Sequence, residues 1–221
     1  MAGASLLGPF IPNFVGGQFD AFRYDGTMMI DLGNGPCASE PVAGSTTNAT
    51  AYGINNSGQI TGISINVGCI RAFLYNGTTM IAIPTLGGDF NDAFAINSKG
   101  EVTGRSLTVR NKAYHAFLYN GTTTIDLGAL TPSRTDGSIG LAVNDNSEVV
   151  GQSALVSADH AFLYNGLSML DVNNLIDPTD PLYGNVVFNS ATGINNSGQI
   201  VANGCYTSGP FEGQCGPRLP P

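Results

Sequence analysis

The chain has 221 residues, of which only 11% are charged, and its formal net charge is −8. With Lys99 and Lys112 as its lysines it would be repelled by a phosphate backbone, which argues against nucleic acid as a partner. No apolar stretch approaches the roughly 18 residues that a membrane-spanning helix needs, and the length suits one large all-β domain as well as two small ones.

In chain order, Met1–Gly17 is apolar but has no basic start and carries Pro9 and Pro12, so it reads as strand and loop and not as an export leader. Ala21-Phe22-Arg23-Tyr24 follows and runs into Asp25-Gly26. The phrase returns as Ala72-Phe73-Leu74-Tyr75, Ala116-Phe117-Leu118-Tyr119 and Ala161-Phe162-Leu163-Tyr164, each running into Asn-Gly. The offsets are 51, 44 and 45 residues (21 to 72, 72 to 116, 116 to 161), a period that signals an array of supersecondary units. A second phrase interleaves with the first: Gly53-Ile54-Asn55-Asn56-Ser57-Gly58-Gln59-Ile60, with counterparts starting at Ala95, Ala142 and Gly193.

Two short apolar runs flanking an Asn/Ser/Gly cluster predict a hairpin, since such residues reach positive φ at little cost. The Ala-Phe-x-Tyr phrase opens a second hairpin, for which Asn76-Gly77, Asn120-Gly121, Asn165-Gly166 and Asp25-Gly26 predict two-residue type I′ turns. Within the phrase, Phe and Tyr point to one face and Ala and Leu to the other. Both faces are apolar in three of the four copies, so this strand should be sandwiched between neighbouring sheets. Each period then holds four antiparallel strands. The expected fold is all-β: a β-propeller of four-stranded antiparallel blades, with five blades ahead of four, an open stack third, and incomplete first and last blades. The chain is expected to form one repeat domain over 1–221, with units at about 1–50 (partial), 51–92, 93–139, 140–190 and 191–221 (partial).

These phrases resemble the HAF repeat family of bacterial extracellular repeat proteins, named for a His-Ala-Phe motif. The motif stands here as His115-Ala116-Phe117 and His160-Ala161-Phe162, and as Arg71-Ala72-Phe73 and Asp20-Ala21-Phe22 in divergent copies. Gly-Ile-Asn-x-x-Gly-x-Ile, Asp31-Leu32-Gly33, Asp126-Leu127-Gly128 and the stretch from Asp171 to Pro178 are similar too. The resemblance covers nearly the whole chain and implies an exported bacterial protein. It implies no activity and no catalytic residue.

His115 and His160 hold equivalent repeat positions, filled by Arg71 and Asp20 in sibling units, which fits a structural hydrogen bond to a neighbouring turn better than a catalytic base. Asp31, Asp126 and Asp171 share another position, where Ala82 stands in the second unit. Carboxylates gathered around a ring could bind a cation or hydrolyse a glycoside, but aspartates at strand ends commonly satisfy turn amides. No catalytic, cofactor-binding or metal residue and no cofactor is therefore assigned. Sequons at Asn48, Asn55, Asn76, Asn120 and Asn195 lie mostly in the repeated turns, where turn chemistry explains them.

The repeats stop matching in the stretches 33–50, 128–140 and 173–190 and in the loops 66–70 and 206–214. In antiparallel four-stranded units all of these emerge at one end, as loops that carry binding on a repetitive scaffold do. Cys37, Cys69, Cys205 and Cys215 lie in or beside them, without the spacing of a zinc site, and are expected to pair as Cys37–Cys69 and Cys205–Cys215 in an oxidising compartment. The function expected is an extracellular or cell-surface binding or scaffold module, with a glycan or protein partner on the loop-rich face. The alternatives are a carbohydrate-active enzyme using axial carboxylates, or an envelope subunit that self-associates through open strand edges.

Overall fold

The computed structural model describes residues 20–33, 35–39, 48–131, 137–155, 158–208, 213 and 215. Among them the fold is all-β, with sixteen strands, three short 3-10 turns and no α-helix. Strands β1 (Ala21–Tyr24) and β2 (Met29–Gly33) form a first, two-stranded sheet. Three four-stranded antiparallel sheets follow. The first holds β3 (Asn48–Ile54), β4 (Ile60–Asn66), β5 (Cys69–Tyr75) and β6 (Met80–Ala82). The next holds β7 (Gly87–Ile96), β8 (Val102–Thr108), β9 (Tyr114–Tyr119) and β10 (Thr124–Asp126). The last of the three holds β11 (Ser138–Val143), β12 (Val149–Ala154), β13 (Asp159–Tyr164) and β14 (Met169–Asp171). A last pair, β15 (Val186–Ile194) and β16 (Ile200–Tyr206), ends the array. Every sheet is an up-and-down meander; counting in chain order from the β1–β2 pair, the second sheet (β3–β6) and the third (β7–β10) are joined by a single parallel pairing of Ile70 with Phe90. Among the described residues no strand of the first sheet pairs with one of the last. The outer strands expected near residues 2–5 and 217–219 lie outside the described residues.

The Ala-Phe-Leu-Tyr strand is buried on both faces, as its composition predicts. Phe73 and Tyr75 pack back onto Ala21 of the preceding sheet, while Ala72 and Leu74 pack forward onto Ala93 and Val102 of the next. Phe117 and Tyr119 join that second cluster from behind, and Ala116 and Leu118 face forward onto Val143 and Val149. Phe162 closes the third cluster, and Ala161 opens a fourth with Ala191. The core is therefore a row of four inter-sheet layers, each made of one unit's large residues and its neighbour's small ones.

The glycine in each second strand has a steric cause. A Cβ on Gly62, Gly104 or Gly151 would lie 2.0, 2.0 or 1.9 Å from the carbonyl oxygen of Thr50, Asp92 or Ile139. Bulges in the first strands at 51/53, 93/95 and 140/142 bring that backbone inward.

The short turns differ from the type I′ expectation. Only the glycine takes positive φ (Gly77 at 105°, Gly121 at 91°, Gly166 at 90°), whereas type I′ needs two such residues. The asparagine works through its side chain instead: Asn76 Oδ1 accepts from the amides of Thr78 and Thr79, and Asn120 and Asn165 do the same. The tyrosine of the phrase pins each turn, its hydroxyl donating to the carbonyl of Gly26, Gly77, Gly121 or Gly166. The other turns carry an asparagine ladder. Asn55, Asn97 and Asn144 each donate Nδ2 to the carbonyl of the corresponding asparagine one unit on, at 3.0, 2.8 and 3.0 Å.

Both expected disulfides are present, Cys37–Cys69 and Cys205–Cys215. Closing loops of 32 and 10 residues, they should contribute about 4 and about 3 kcal/mol in a chain-entropy estimate. Intact-mass analysis should show no alkylation without reductant and four alkylated thiols after denaturing reduction; free thiols in the unreduced protein would refute the pairing. Reduction should also lower the urea midpoint.

Candidate functional site

The histidines and aspartates singled out by the repeat meet in pairs. His115 Nδ1 lies 2.8 and 3.0 Å from the two carboxylate oxygens of Asp126, and His160 Nδ1 lies 2.8 Å from Asp171 Oδ2. An ionised carboxylate only accepts, so Nδ1 carries the proton in both. Asp126 also accepts from the amide of Gly128, Asp171 from that of Asn173, and Asp31 from that of Gly33. Burial pushes Asp126 and Asp171 upward, but the hydrogen bonds from histidine and from the following turn outweigh it and hold both below the ordinary carboxylate value. Each pair ties the third strand of its own sheet to the fourth and caps the exit from it. The spacing of 11 residues in both was the signal in the sequence. In the second unit, where Ala82 removes the carboxylate, Arg71 replaces histidine and donates instead to the carbonyls of Ile70 and Asp89.

The cation reading of Asp31, Asp126 and Asp171 gains nothing from this geometry. They stand on β2, β10 and β14, three different sheets, each bonded within its own unit. Among the described residues no cluster of three or more His, Cys, Asp or Glu side chains could hold a metal ion.

One junction departs from the repeat. Counting back from the turn asparagine, Gly137 stands where Phe90 stands one unit earlier, and counting back from the Ala-Phe phrase, Tyr114 stands where Ile70 does. At the earlier junction Ile70 and Phe90 meet. Here glycine leaves the space open, and a cavity of about 150 Å³ separates the third sheet from the fourth, walled by Arg105, Tyr114, Ser138, Gln152 and Asp159. It opens at the loop-rich end, beside the β8–β9 and β12–β13 connections. The β8–β9 connection has two non-glycine residues in left-handed conformation, Arg110 (φ 66°) and Asn111 (φ 54°), the latter bonded to Asp89.

Behind this cleft Arg105 and Asp92 form a buried ion pair, 8% and 1% exposed, with Nε at 3.1 and 3.2 Å and Nη2 at 3.1 Å from the carboxylate. The guanidinium carbon lies 5.5, 6.0 and 5.0 Å from the ring centres of Phe90, Phe94 and Tyr114. Tyr114 also meets Phe90 edge-on at 5.4 Å, so its ring is fixed while its outer face stays accessible. Desolvation pushes the Asp92 carboxyl up to about 6, only partly opposed by Arg105. Gln152 Nε2 approaches Asp159 Oδ2 at 3.4 Å across the mouth. None of these residues belongs to a repeated phrase. This junction was not singled out from the sequence, where its signals are a charged pair on β7 and β8 and the missing aromatic.

Among the described residues no helix is long and apolar enough to cross a membrane. Scanned against known protein families the chain matches none, and no curated protein matches it.

Proposed function

We propose that this chain is a propeller-type binding module exported to an oxidising compartment, a divergent relative of the HAF repeat proteins. Its units would be blades of propeller type, five counting the two incomplete end units, and its ligand would bind on the loop-rich face. Supporting this are the four-stranded meanders, their face-to-face packing in chain order, the two disulfides and the repeated phrases.

The observation that carries the reading is the cleft between the third and fourth sheets, where the departures from the repeat converge on the variable face. A rigid aromatic face beside an amide and a carboxylate suits a neutral saccharide: the ring covers its C–H surface and Gln152 and Asp159 exchange hydrogen bonds with its hydroxyls. The net charge of −8 disfavours acidic sugars.

A glycan array followed by calorimetry tests it. The expected result is binding of a neutral oligosaccharide that weakens at least about tenfold in Tyr114→Ala and in Gln152→Ala. No binding to any neutral glycan overturns the ligand class, and turnover of a polysaccharide overturns the binding-module reading.

A further inference from the structure

We infer that the two ends of the array are complementary halves of the interface that recurs inside it, and that a second copy of this chain docks head to tail, first sheet onto last. The internal junctions show what each end lacks. Phe73 and Tyr75 are 0% and 8% exposed because the preceding sheet covers them, and Met80, opposite Tyr75, packs in the same layer. In the first sheet Phe22, Tyr24 and Met29 hold the same positions, with Met29 again opposite the tyrosine, yet they are 50%, 62% and 64% exposed. Three large apolar side chains on one sheet face form the kind of patch that marks a contact surface.

The far end is open in the complementary sense. Val201 aligns with Thr61, Thr103 and Val150, each fully buried, but is 65% exposed. A Cβ on Gly53 would meet backbone atoms of Phe94 and Ala95 in the next sheet at 3.3 and 3.4 Å; at Gly193, its counterpart, it would meet only Val201 of its own sheet. The asparagine ladder stops there too. Asn195 keeps the bond to Gln199 Oε1, as Asn55 does to Gln59, but among the described residues it has no following turn to reach.

One end thus presents what every unit offers backward, and the other what every unit offers forward. Such an interface is heterologous: it joins two different surfaces and propagates through the remaining free ends. It uses sheet faces, not the strand edges considered from the sequence. The occupant is a second copy because the four internal layers already display this contact, made by the same residue types of this chain.

Sedimentation and light scattering of the whole chain over a wide concentration range test the inference, with Tyr24→Lys and Val201→Lys as variants at exposed positions and circular dichroism as the check on folding. The wild type should exceed the mass of one chain as concentration rises, and each variant alone should associate at least about tenfold more weakly. Mixing the two variants should restore a complex that stops at two chains, since one intact head then meets one intact tail. A constant monomeric mass would overturn the inference, whether the ends close on each other or other parts of the chain cover them. So would association that either variant alone retains, or that mixing fails to rescue.

Discussion

Phe117→Ala should lower stability by about 3–5 kcal/mol, whereas Phe22→Ala, the same change in the same phrase, should cost no more than about 0.5 kcal/mol. Phe117 is fully buried in the layer between the second and third sheets, among Leu74, Ile83, Ala93 and Val102. Removing its ring leaves a cavity that two β-sheets cannot collapse to fill. Phe22 holds the same position of the repeated phrase, followed by Arg23 where Phe117 is followed by Leu118, but it is half exposed. Urea unfolding of the two variants checks this directly. Equal losses would show that the first sheet is covered as completely as the others, which would also count against an open end.

The second large effect belongs to the buried pair. Asp92→Ala should destabilise by about 3–5 kcal/mol, because the Arg105 guanidinium is left among aromatic rings without its carboxylate. Adding Arg105→Met should recover most of that loss, since replacing both charges removes the stranded one. The pH dependence has a definite sign. The folded carboxyl is raised from 3.8 to about 6, so the native state binds this proton more tightly than the unfolded chain. Its contribution to stability therefore rises as pH falls through about 6 and levels off below about 3.8, a gain of about 1 kcal/mol between pH 7 and 5. The carboxylates held below their ordinary values, Asp126 and Asp171 among them, act in the opposite direction, losing stability at pH values lower than this window. Denaturation of wild type and Asp92→Asn at pH 7 and pH 5 isolates the effect: the gain should be present in the first and absent in the second. A wild type that loses as much stability as the variant would refute it.

Local patterning made the strands legible. Alternation in Ala-Phe-Leu-Tyr marks which side chains face backward and which forward, and Gly58, Gly77, Gly100 and Gly121 mark the turns by their need for positive φ. The type I′ expectation failed for a local reason as well: a carboxamide that bonds the turn amides spares its own residue the left-handed region. The His–Asp pairs were half legible. Each residue was singled out, but their meeting depends on strands three and four lying side by side in register.

By itself, the sequence determined the all-β class, the period, the burial of the repeated strand and the partners of all four cysteines, because these rest on interactions within or between adjacent hairpins. The tertiary structure decided what depends on one sheet's face meeting the next. It set the cleft beside Tyr114, which exists because Gly137 stands where the preceding junction has Phe90. It set the buried Arg105–Asp92 pair, and the exposure of Phe22 and Val201 at repeat positions that are buried elsewhere. Repetition makes neighbouring units alike in pattern, and burial then depends on whether a neighbouring sheet is present.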